Sequence, residues 1–321
     1  MEENTPARRS WLQKLFISPD EPRLRAAWRL LGQMLLLVLS IAILGGFTNW
    51  LLSTLDDISY WGFLLLTAVI TSAAITVSIL FARRFLDRRS LTSLGLNWNR
   101  QTIYDLIFGV ALTGLMIGLI YLLEWIAGWL TVESLAWQSE SWGNLAASIL
   151  IMAILFGLVG WQEELLSRGY WLQNLRAGLN LSLGVLLSSA LFALAHSFNP
   201  NLSWQAFLGL FLSGLFLAFG YLRTRQLWLP IGLHLGWNFF EGVVFGFPVS
   251  GQYFYQVIRQ TVSGPDIITG GAFGPEGGLI LLPALLLGIA GIFYYTKNRI
   301  PVQKDMNILD TSPNYPTPTK K

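Results

Sequence analysis

Eight apolar runs, each about 20 residues long, divide this chain almost from end to end. A helix of that length spans the hydrocarbon core of a bilayer, so each run predicts a transmembrane helix. Charged residues make up only 12% of the chain, too few to cover the surface of an ordinary water-soluble protein. The sequence therefore predicts an all-α, polytopic membrane protein. The predicted spans are 31–53, 60–82, 105–129, 145–172, 181–198, 204–222, 228–246 and 277–297.

The distribution of basic residues tests this count, because Lys and Arg accumulate in cytoplasmic segments. With eight spans and both termini cytoplasmic, all 21 Lys and Arg except Arg168 and Arg259 lie in predicted cytoplasmic segments or at adjoining helix ends. The net charge of +3 thus reflects topology and predicts a lipid bilayer, not a nucleic acid, as partner. We expect a multi-pass protein of a prokaryotic plasma membrane. The predicted outer segments instead carry the acidic residues Asp56, Asp57, Glu133, Glu140, Asp266 and Glu276.

The domain organisation follows from these spans. Residues 1–30 predict a cytoplasmic segment that is too long and polar to be the n-region of a cleaved signal peptide. Residues 31–297 predict one transmembrane domain, and no polar stretch within it could hold a second domain. Residues 298–321 are polar and proline-rich, which predicts a disordered cytoplasmic tail.

Two smaller features have ordinary interpretations. Leu12, Leu15 and Phe16 predict either an interfacial amphipathic turn or scattered apolar residues of a disordered segment. The glycine-rich stretch 270–275 lacks the Lys-Ser/Thr ending and the preceding strand of a phosphate loop, so we expect a flexible outer loop there.

Polar side chains inside the predicted spans are the main functional signal, since ionisable groups are costly in a membrane. They include both histidines of the chain. Glu124 and Glu241 also fall in apolar runs, but each lies near the outer interface, where we expect a solvated or snorkelling carboxylate. The other polar groups are Glu163, Glu164 and Arg168 in the fourth span, His196 in the fifth, and His234 and Asn238 in the seventh.

Helix geometry assigns candidate roles to these groups. Glu164 and Arg168 are four residues apart, so they share a helix face and can form an ion pair. Glu163 points about 100° away. Burial without a partner favours its neutral form, which would let it exchange a proton as a general base. His234 and Asn238 also share a face, where they can offer two hydrogen-bond donors to an oxyanion.

Each group also has a structural explanation. His196 alone is more typical of a packing residue, the Glu164–Arg168 pair of a structural clamp, and a membrane Asn of an interhelical hydrogen bond. A non-catalytic scaffold or immunity protein, or a proton-coupled transporter, could use the same residues. We find no paired repeats with broken helices of the kind many transporters have.

Taken in order, the polar motifs resemble those of the CAAX protease and bacteriocin-processing family of intramembrane endopeptidases, also known as the Abi or type II CAAX prenyl endopeptidase family. The resemblance covers about residues 140–245. The matching motifs are Glu163-Glu164-x-x-x-Arg168, Phe192-x-x-x-His196 and His234-x-x-x-Asn238.

The resemblance implies an endopeptidase that cleaves a membrane-associated peptide or protein. In such an enzyme Glu163 and His196 would activate a water molecule for attack on a peptide carbonyl. His234 and Asn238 would hold the oxyanion, and the Glu-Arg pair would support the site. Ser167 departs from the Phe that often precedes the motif's Arg, which puts local packing or substrate fit in doubt.

Other hydrolytic sites are poorly supported by the sequence. There is no His-Glu-x-x-His, no Gly-x-Gly-Asp and no convincing Gly-x-Ser-x-Gly motif. The absence of Cys excludes thiolate catalysis, disulfides and Cys-ligated metals. Glu163, His196 and His234 could form a His₂Glu zinc site. We favour a glutamate mechanism without metal, because Asn238 suits an oxyanion better than zinc.

The depth of these residues in the membrane poses a geometric problem. If the fourth span crosses at about 152–172, Glu163 lies near the bilayer midplane. His196 would then lie beyond the midplane from the cytoplasm, and His234 before it. The three can meet only if helices tilt or if the site lies in a water-filled cavity. We expect the cavity, because hydrolysis requires water.

Overall fold

The computed structural model describes residues 10–19, 21, 23–54 and 59–299, and these are predominantly helical. Three of the helices continue as π-helix, over Ala82–Leu86, Leu165–Leu172 and Phe239–Val244. The helices are α1 (Trp11–Phe16), α2 (Ala26–Leu52), α3 (Tyr60–Phe81), α4 (Arg100–Ile126), α5 (Trp142–Glu164), α6 (Gln173–Gly178), α7 (Leu181–Ala195), α8 (Trp204–Thr224), α9 (Trp228–Asn238), α10 (Asp266–Thr269) and α11 (Leu281–Thr296).

Each of the eight predicted spans overlaps one of these helices, so the all-α architecture is confirmed. By length and composition, five helical stretches of the described residues could cross a membrane: Ala26–Leu52, Tyr60–Leu86, Arg100–Ile126, Trp142–Gly178 and Trp204–Thr224. Helices α7 and α11 are apolar but shorter. Helix α9 continues as π-helix through Phe239–Val244. Eight crossings with two cytoplasmic termini therefore stay a prediction.

Some sequence predictions fall outside the described residues. These are residues 1–9 of the N-terminal segment, the acidic residues at 56 and 57, and nearly all of the predicted tail, 298–321. In the described part of the N-terminal segment, residues 11–16 form a short helix with a capping box at Ser10. Trp11 and Leu12 on this helix are exposed. The interfacial turn is therefore helical, and its contact with lipid stays a prediction.

Short polar residues begin five of the apolar helices, α3, α4, α5, α7 and α8. A helix leaves its first backbone N–H groups unsatisfied, and a Ser or Asn side chain at the N-cap accepts one of them. Ser141 does so for α5 at 3.2 Å, Asn180 for α7 at 2.9 Å and Ser203 for α8 at 3.1 Å. These caps explain why these helices begin where the sequence changes from polar to apolar.

Glycines allow α9 to pack closely against α4 and α5. A Cβ atom on Gly232 would lie 2.5 Å from the Leu106 carbonyl oxygen of α4, and one on Gly236 would lie 2.7 Å from Val110 Cα. Gly160 of α5 faces α9 in the same way, with Ile231 O only 3.2 Å from a built Cβ. Small residues of this kind let membrane helices approach to backbone contact. Helix α9 is thus central and buried, which fixes the positions of His234 and Asn238.

A buried polar network joins the helix ends on the predicted cytoplasmic side. Asp87 is fully buried. Its carboxylate accepts from Arg83 Nη1 at 2.8 Å, Arg29 Nη1 at 3.5 Å, the Tyr170 hydroxyl at 3.3 Å and Asn174 Nδ2 at 3.3 Å. These partners lie on α2, the first two π-helical segments and α6. The network therefore ties the first two long helices to the helix that carries Glu163.

The predicted outer segments form a packed cap on the opposite side. Strands β1 (Leu130–Leu135) and β2 (Ile258–Val262) pair antiparallel, with an irregular register between Val132 and Ser134. The expected flexible loop at 270–275 is wrong. Phe273 is buried and its carbonyl accepts from Gly251 N at 2.8 Å, while Leu279 N donates to Ile267 O at 3.0 Å. Backbone hydrogen bonds and one buried aromatic ring hold this loop.

Candidate active site

The end of α5 presents two adjacent glutamates to different surroundings. Glu164 is fully buried, and its Oε1 accepts from Arg168 Nη1 at 2.6 Å across one turn. Glu163 keeps 25% of its side chain exposed and faces a cavity. The predicted separation of the two carboxylates onto different faces is therefore present. The helix widens to a π-helix at residue 165, immediately after this pair, a distortion found often at functional sites.

Arg168 is almost completely buried, so each of its contacts matters energetically. Besides Glu164, its Nη2 donates to the Gly214 carbonyl of α8 at 2.9 Å. Its guanidinium also lies 4.6 Å from the centre of the Phe192 ring, a cation–π contact with α7. The predicted clamp thus joins three helices.

Glu164 has a second partner that the sequence did not reveal. The same Oε1 lies 2.9 Å from His234 Nδ1 on α9. A carboxylate that is hydrogen-bonded to one imidazole nitrogen fixes the tautomer and the orientation of the ring. Glu164 therefore pairs with Arg168 and also orients His234. The buried ion pair is thus in direct contact with one of the candidate catalytic residues.

Both histidines turn their Nε2 atoms toward Glu163. Glu163 Oε2 lies 3.8 Å from His196 Nε2 and 3.9 Å from His234 Nε2. His196 ends α7, and its Nδ1 lies 2.9 Å from the Phe192 carbonyl oxygen. Because a carbonyl only accepts, Nδ1 of His196 carries the proton, and in the neutral ring Nε2 is left as an acceptor. The lone pair of His196 Nε2 thus faces the carboxylate, with room between them for a group that donates to both.

Asn238 follows His234 by one turn of α9 and lines the same cavity. This cavity has a volume of about 540 Å³, and its walls combine a few polar groups with apolar side chains such as Phe156 and Trp237. The sequence predicted that the site lies in such a cavity. All four predicted catalytic residues reach it: Glu163, His196, His234 and Asn238.

A zinc ion held by Glu163, His196 and His234 is the alternative that the sequence left open. A His₂Glu site bound at about 2.0–2.1 Å would hold its donor atoms roughly 3.3 Å apart. The distances of 3.8 and 3.9 Å from Glu163 to the two histidines are longer. Within the described ranges, no group of three or more His, Asp or Glu side chains is placed to hold a metal ion. These residues, as arranged, do not fit zinc.

Two carboxylates expected at the membrane surface are instead buried. Glu124, near the end of α4, and Glu241, in the π-helical continuation of α9, are both fully buried, so the expectation of solvated side chains is wrong. The reason is the packed cap. The chain folds back after α4, where the backbone N–H of Trp129 donates to the Glu124 carbonyl at 3.0 Å. After the second carboxylate, the backbone N–H of Phe247 donates to the Glu241 carbonyl at 2.9 Å. Helix length alone could not show that loops cover these ends.

Glu276 is a cavity residue that sequence reasoning missed. It lies in the turn Pro275–Gly277, is 5% exposed and lines the cavity with the histidines. The sequence grouped it with the outer acidic residues, since a carboxylate in a loop has no helical pattern to reveal where it points. Its only available signal was its position five residues before an apolar helix.

Comparison with known proteins agrees with the motifs. No curated protein and no solved structure matches this chain significantly. The family model described as "Type II CAAX prenyl endopeptidase Rce1-like" matches residues 142–240, which contain α5 through α9. This match and the apolar helices support an integral membrane protein of the protease class, for which the substrate would be a protein or peptide. The segment that carries the clustered carboxylates and histidines, residues 142–240, is therefore similar to the Rce1-like type II CAAX prenyl endopeptidase family, as its motifs predicted.

Proposed function

We propose that this protein is an intramembrane endopeptidase that hydrolyses a peptide bond through a water molecule activated by Glu163 and His196. The observation that carries the proposal is the convergence of one carboxylate oxygen on two imidazole Nε2 atoms, at 3.8 and 3.9 Å, inside a cavity. A water molecule between Glu163 and His196 can donate one proton to each acceptor. Its oxygen is then held for attack on a carbonyl.

The attack follows from these hydrogen bonds. Glu163 takes a proton as the water oxygen adds to the peptide carbonyl, which leaves a tetrahedral intermediate with negative charge on the former carbonyl oxygen. His196, with its Nδ1 proton on the Phe192 carbonyl, orients the water. The cavity walls are largely apolar, so donors aimed at the new charge are effective there.

His234 and Asn238 are the donors to that charge in this mechanism. For His234 to donate through Nε2, both of its ring nitrogens must carry a proton. Glu164 at 2.9 Å from Nδ1 supplies the counter-charge for this form. Asn238, one turn later, offers its amide N–H on the same face. Loss of one such donor in other hydrolases costs about 10²–10³ in kcat.

We further propose that catalysis proceeds without a resident metal. The support is geometric: the Glu163–histidine distances suit hydrogen bonds through a water better than shared coordination of one ion. Purified protein should keep full activity after dialysis against a strong chelator, and elemental analysis should find less than about 0.1 metal ion per chain. Loss of activity on chelation, restored by zinc, would contradict this part of the proposal.

The experiment for the main proposal uses the full chain in proteoliposomes and a library of quenched fluorescent peptides with a lipid anchor. Wild-type protein should cleave members of the library, and Glu163→Gln and His196→Ala should each abolish cleavage. Glu133→Gln, which changes an exposed carboxylate on β1, is the matched control and should leave cleavage unchanged. All variants should elute as folded protein from a sizing column. Full activity of Glu163→Gln would refute the mechanism, and a scaffold or transporter would cleave nothing.

We also propose that the helices cross a prokaryotic plasma membrane eight times, with both termini in the cytoplasm. The support is the charge sorting along the sequence, which one missed span would scramble. The absence of Cys makes a direct test available. In intact cells, an impermeant maleimide should label Glu133→Cys but not Trp98→Cys, both at exposed positions. Labelling of both, or of Trp98→Cys alone, would contradict the topology.

A further inference from the structure

A second carboxyl group, from outside the family-matched segment, lines the cavity. Glu276 comes from the turn that precedes α11, whereas Glu163 comes from α5. Both side chains line the cavity that His196 and His234 also line. Two carboxyl groups in one site can divide acid and base roles when their surroundings differ. The surroundings of Glu276 are therefore important.

Glu276 is held by hydrogen bonds that lead back to the His196 loop. Its Oε2 accepts from the Ser250 hydroxyl at 2.5 Å. The Ser250 carbonyl accepts from Asn199 Nδ2 at 3.0 Å, and Asn199 N–H donates to the His196 carbonyl at 2.9 Å. Ser250 has a left-handed backbone with φ of 47°, which is unfavourable for a residue with a side chain. Such strain persists where surrounding contacts impose it, often at functional sites.

Burial favours a Glu276 carboxyl group that keeps its proton. Burial raises the pKa of Glu276, while the Ser250 hydrogen bond and the nearby His196 and His234 oppose that rise. A negative charge on Glu276 would in turn repel a second one on the neighbouring Glu241. Among the described residues, no Lys or Arg forms an ion pair with Glu276.

The elements packed against this turn add little charge of their own. On α8, residues 204–222 carry no acidic or basic side chain, and the same is true of α11. On α10, Asp266 lies against Gly271. The protonation of Glu276 is therefore governed mainly by burial, which favours the proton, and by the Ser250 hydrogen bond and the two histidines, which oppose it.

We infer that Glu276 is the general acid of the reaction, the group that protonates the leaving amine while Glu163 takes a proton from water. This inference rests on the proposed function. Water adds to the carbonyl carbon and gives one proton to Glu163. The C–N bond then breaks as its electron pair takes the proton of Glu276, which yields a carboxylic acid and a neutral amine. Return of the Glu163 proton to Glu276, through His196 or water, restores the enzyme.

The chemistry requires such a donor, because an amine anion is too poor a leaving group to depart unprotonated. General acid catalysis contributes about 10²–10⁴ in rate. A leaving group that departs as a stable anion needs no such help. An acyl peptide made both as an amide and as a p-nitrophenyl ester therefore separates the acid role from any role in binding or folding.

The test measures kcat for Glu276→Gln on the amide and ester forms of one lipid-anchored peptide in proteoliposomes. The amide rate should fall at least about 100-fold, and the ester rate should stay within about threefold of wild type. Glu133→Gln, the exposed control, should change neither rate. An amide rate near wild type, or an equal loss on both substrates, would overturn the acid role. Glu163→Gln should lose both activities; if it keeps them, the proposed function fails independently.

Wild-type protein offers a second measurement that does not depend on how the variant folds. Glu276 supplies a proton only below its own pKa, so kcat for the amide should decline as the pH rises through that value. The ester should show no such decline, because it does not need the acid. An alkaline decline shared by both substrates, or absent from both, would overturn the inference.

Discussion

Removal of the Glu164 carboxylate tests how far the support of the site and its chemistry depend on one group. In Glu164→Ala, Arg168 would stay almost fully buried with only the Gly214 carbonyl and the Phe192 ring as partners. Breaking a buried ion pair from one side costs about 3–5 kcal/mol of unfolding free energy. At roughly 2–4 °C per kcal/mol, the midpoint of thermal unfolding should fall by about 6–20 °C.

A double variant separates charge from packing. Glu164→Leu with Arg168→Leu removes both charges and keeps apolar volume, and replacement of a buried pair in this way is often neutral or stabilising. We expect its unfolding midpoint to lie within about 3 °C of wild type. Activity should still be lost, because His234 Nδ1 no longer has the acceptor that now lies 2.9 Å away.

Thermal unfolding in detergent, followed by the fluorescence of the 14 Trp residues, measures both effects at one fixed scan rate. Glu133→Ala, an exposed carboxylate, is the control and should shift the midpoint by less than about 2 °C. Glu164→Ala with a midpoint within 2 °C of wild type would refute the clamp. A double variant that regains activity would refute the orientation of His234 by Glu164.

Two further predictions concern the scaffold. Gly236→Ala should push α9 away from α4, since the new Cβ would lie 2.7 Å from Val110 Cα, and peptidase activity should fall at least about tenfold. Gly157→Ala is the control: nothing lies within 4 Å of its Cβ, so it should have little effect in the same assay. Asp87→Ala should lower the unfolding free energy by about 3–5 kcal/mol, because it leaves buried arginines without their carboxylate. Arg259→Ala, whose side chain is 42% exposed, should cost less than about 1 kcal/mol in the same unfolding measurement.

Local features of the site were accessible from the sequence because they depend on helix geometry alone. The spacing of Glu164 and Arg168 predicts their contact, and the structure has it at 2.6 Å. The second contact of Glu164, with His234, joins residues 70 positions apart, and no local spacing encodes it. The resemblance assigned Glu164 a supporting role without saying which group it supports.

The errors also have a physical cause. Glu124 and Glu241 were expected in water because the ends of transmembrane helices usually reach the interface. Their burial depends on loops that fold back over those ends, and the 270–275 loop packs for the same reason. Hydropathy along the chain measures affinity for lipid or water, and it is insensitive to a polar loop that covers a helix end.

The sequence by itself determined the helices, the candidate residues and the family resemblance, because apolar length, short motifs and one-turn spacings are local properties of the chain. Only the tertiary structure decided that Glu163 faces both histidines, that Glu164 reaches His234, and that Glu276 enters the cavity. These facts depend on how closely α9 packs against its neighbours at glycines and on how the cap folds over the site. Distances between side chains on separate helices follow from packing, and packing is a property of the whole folded chain.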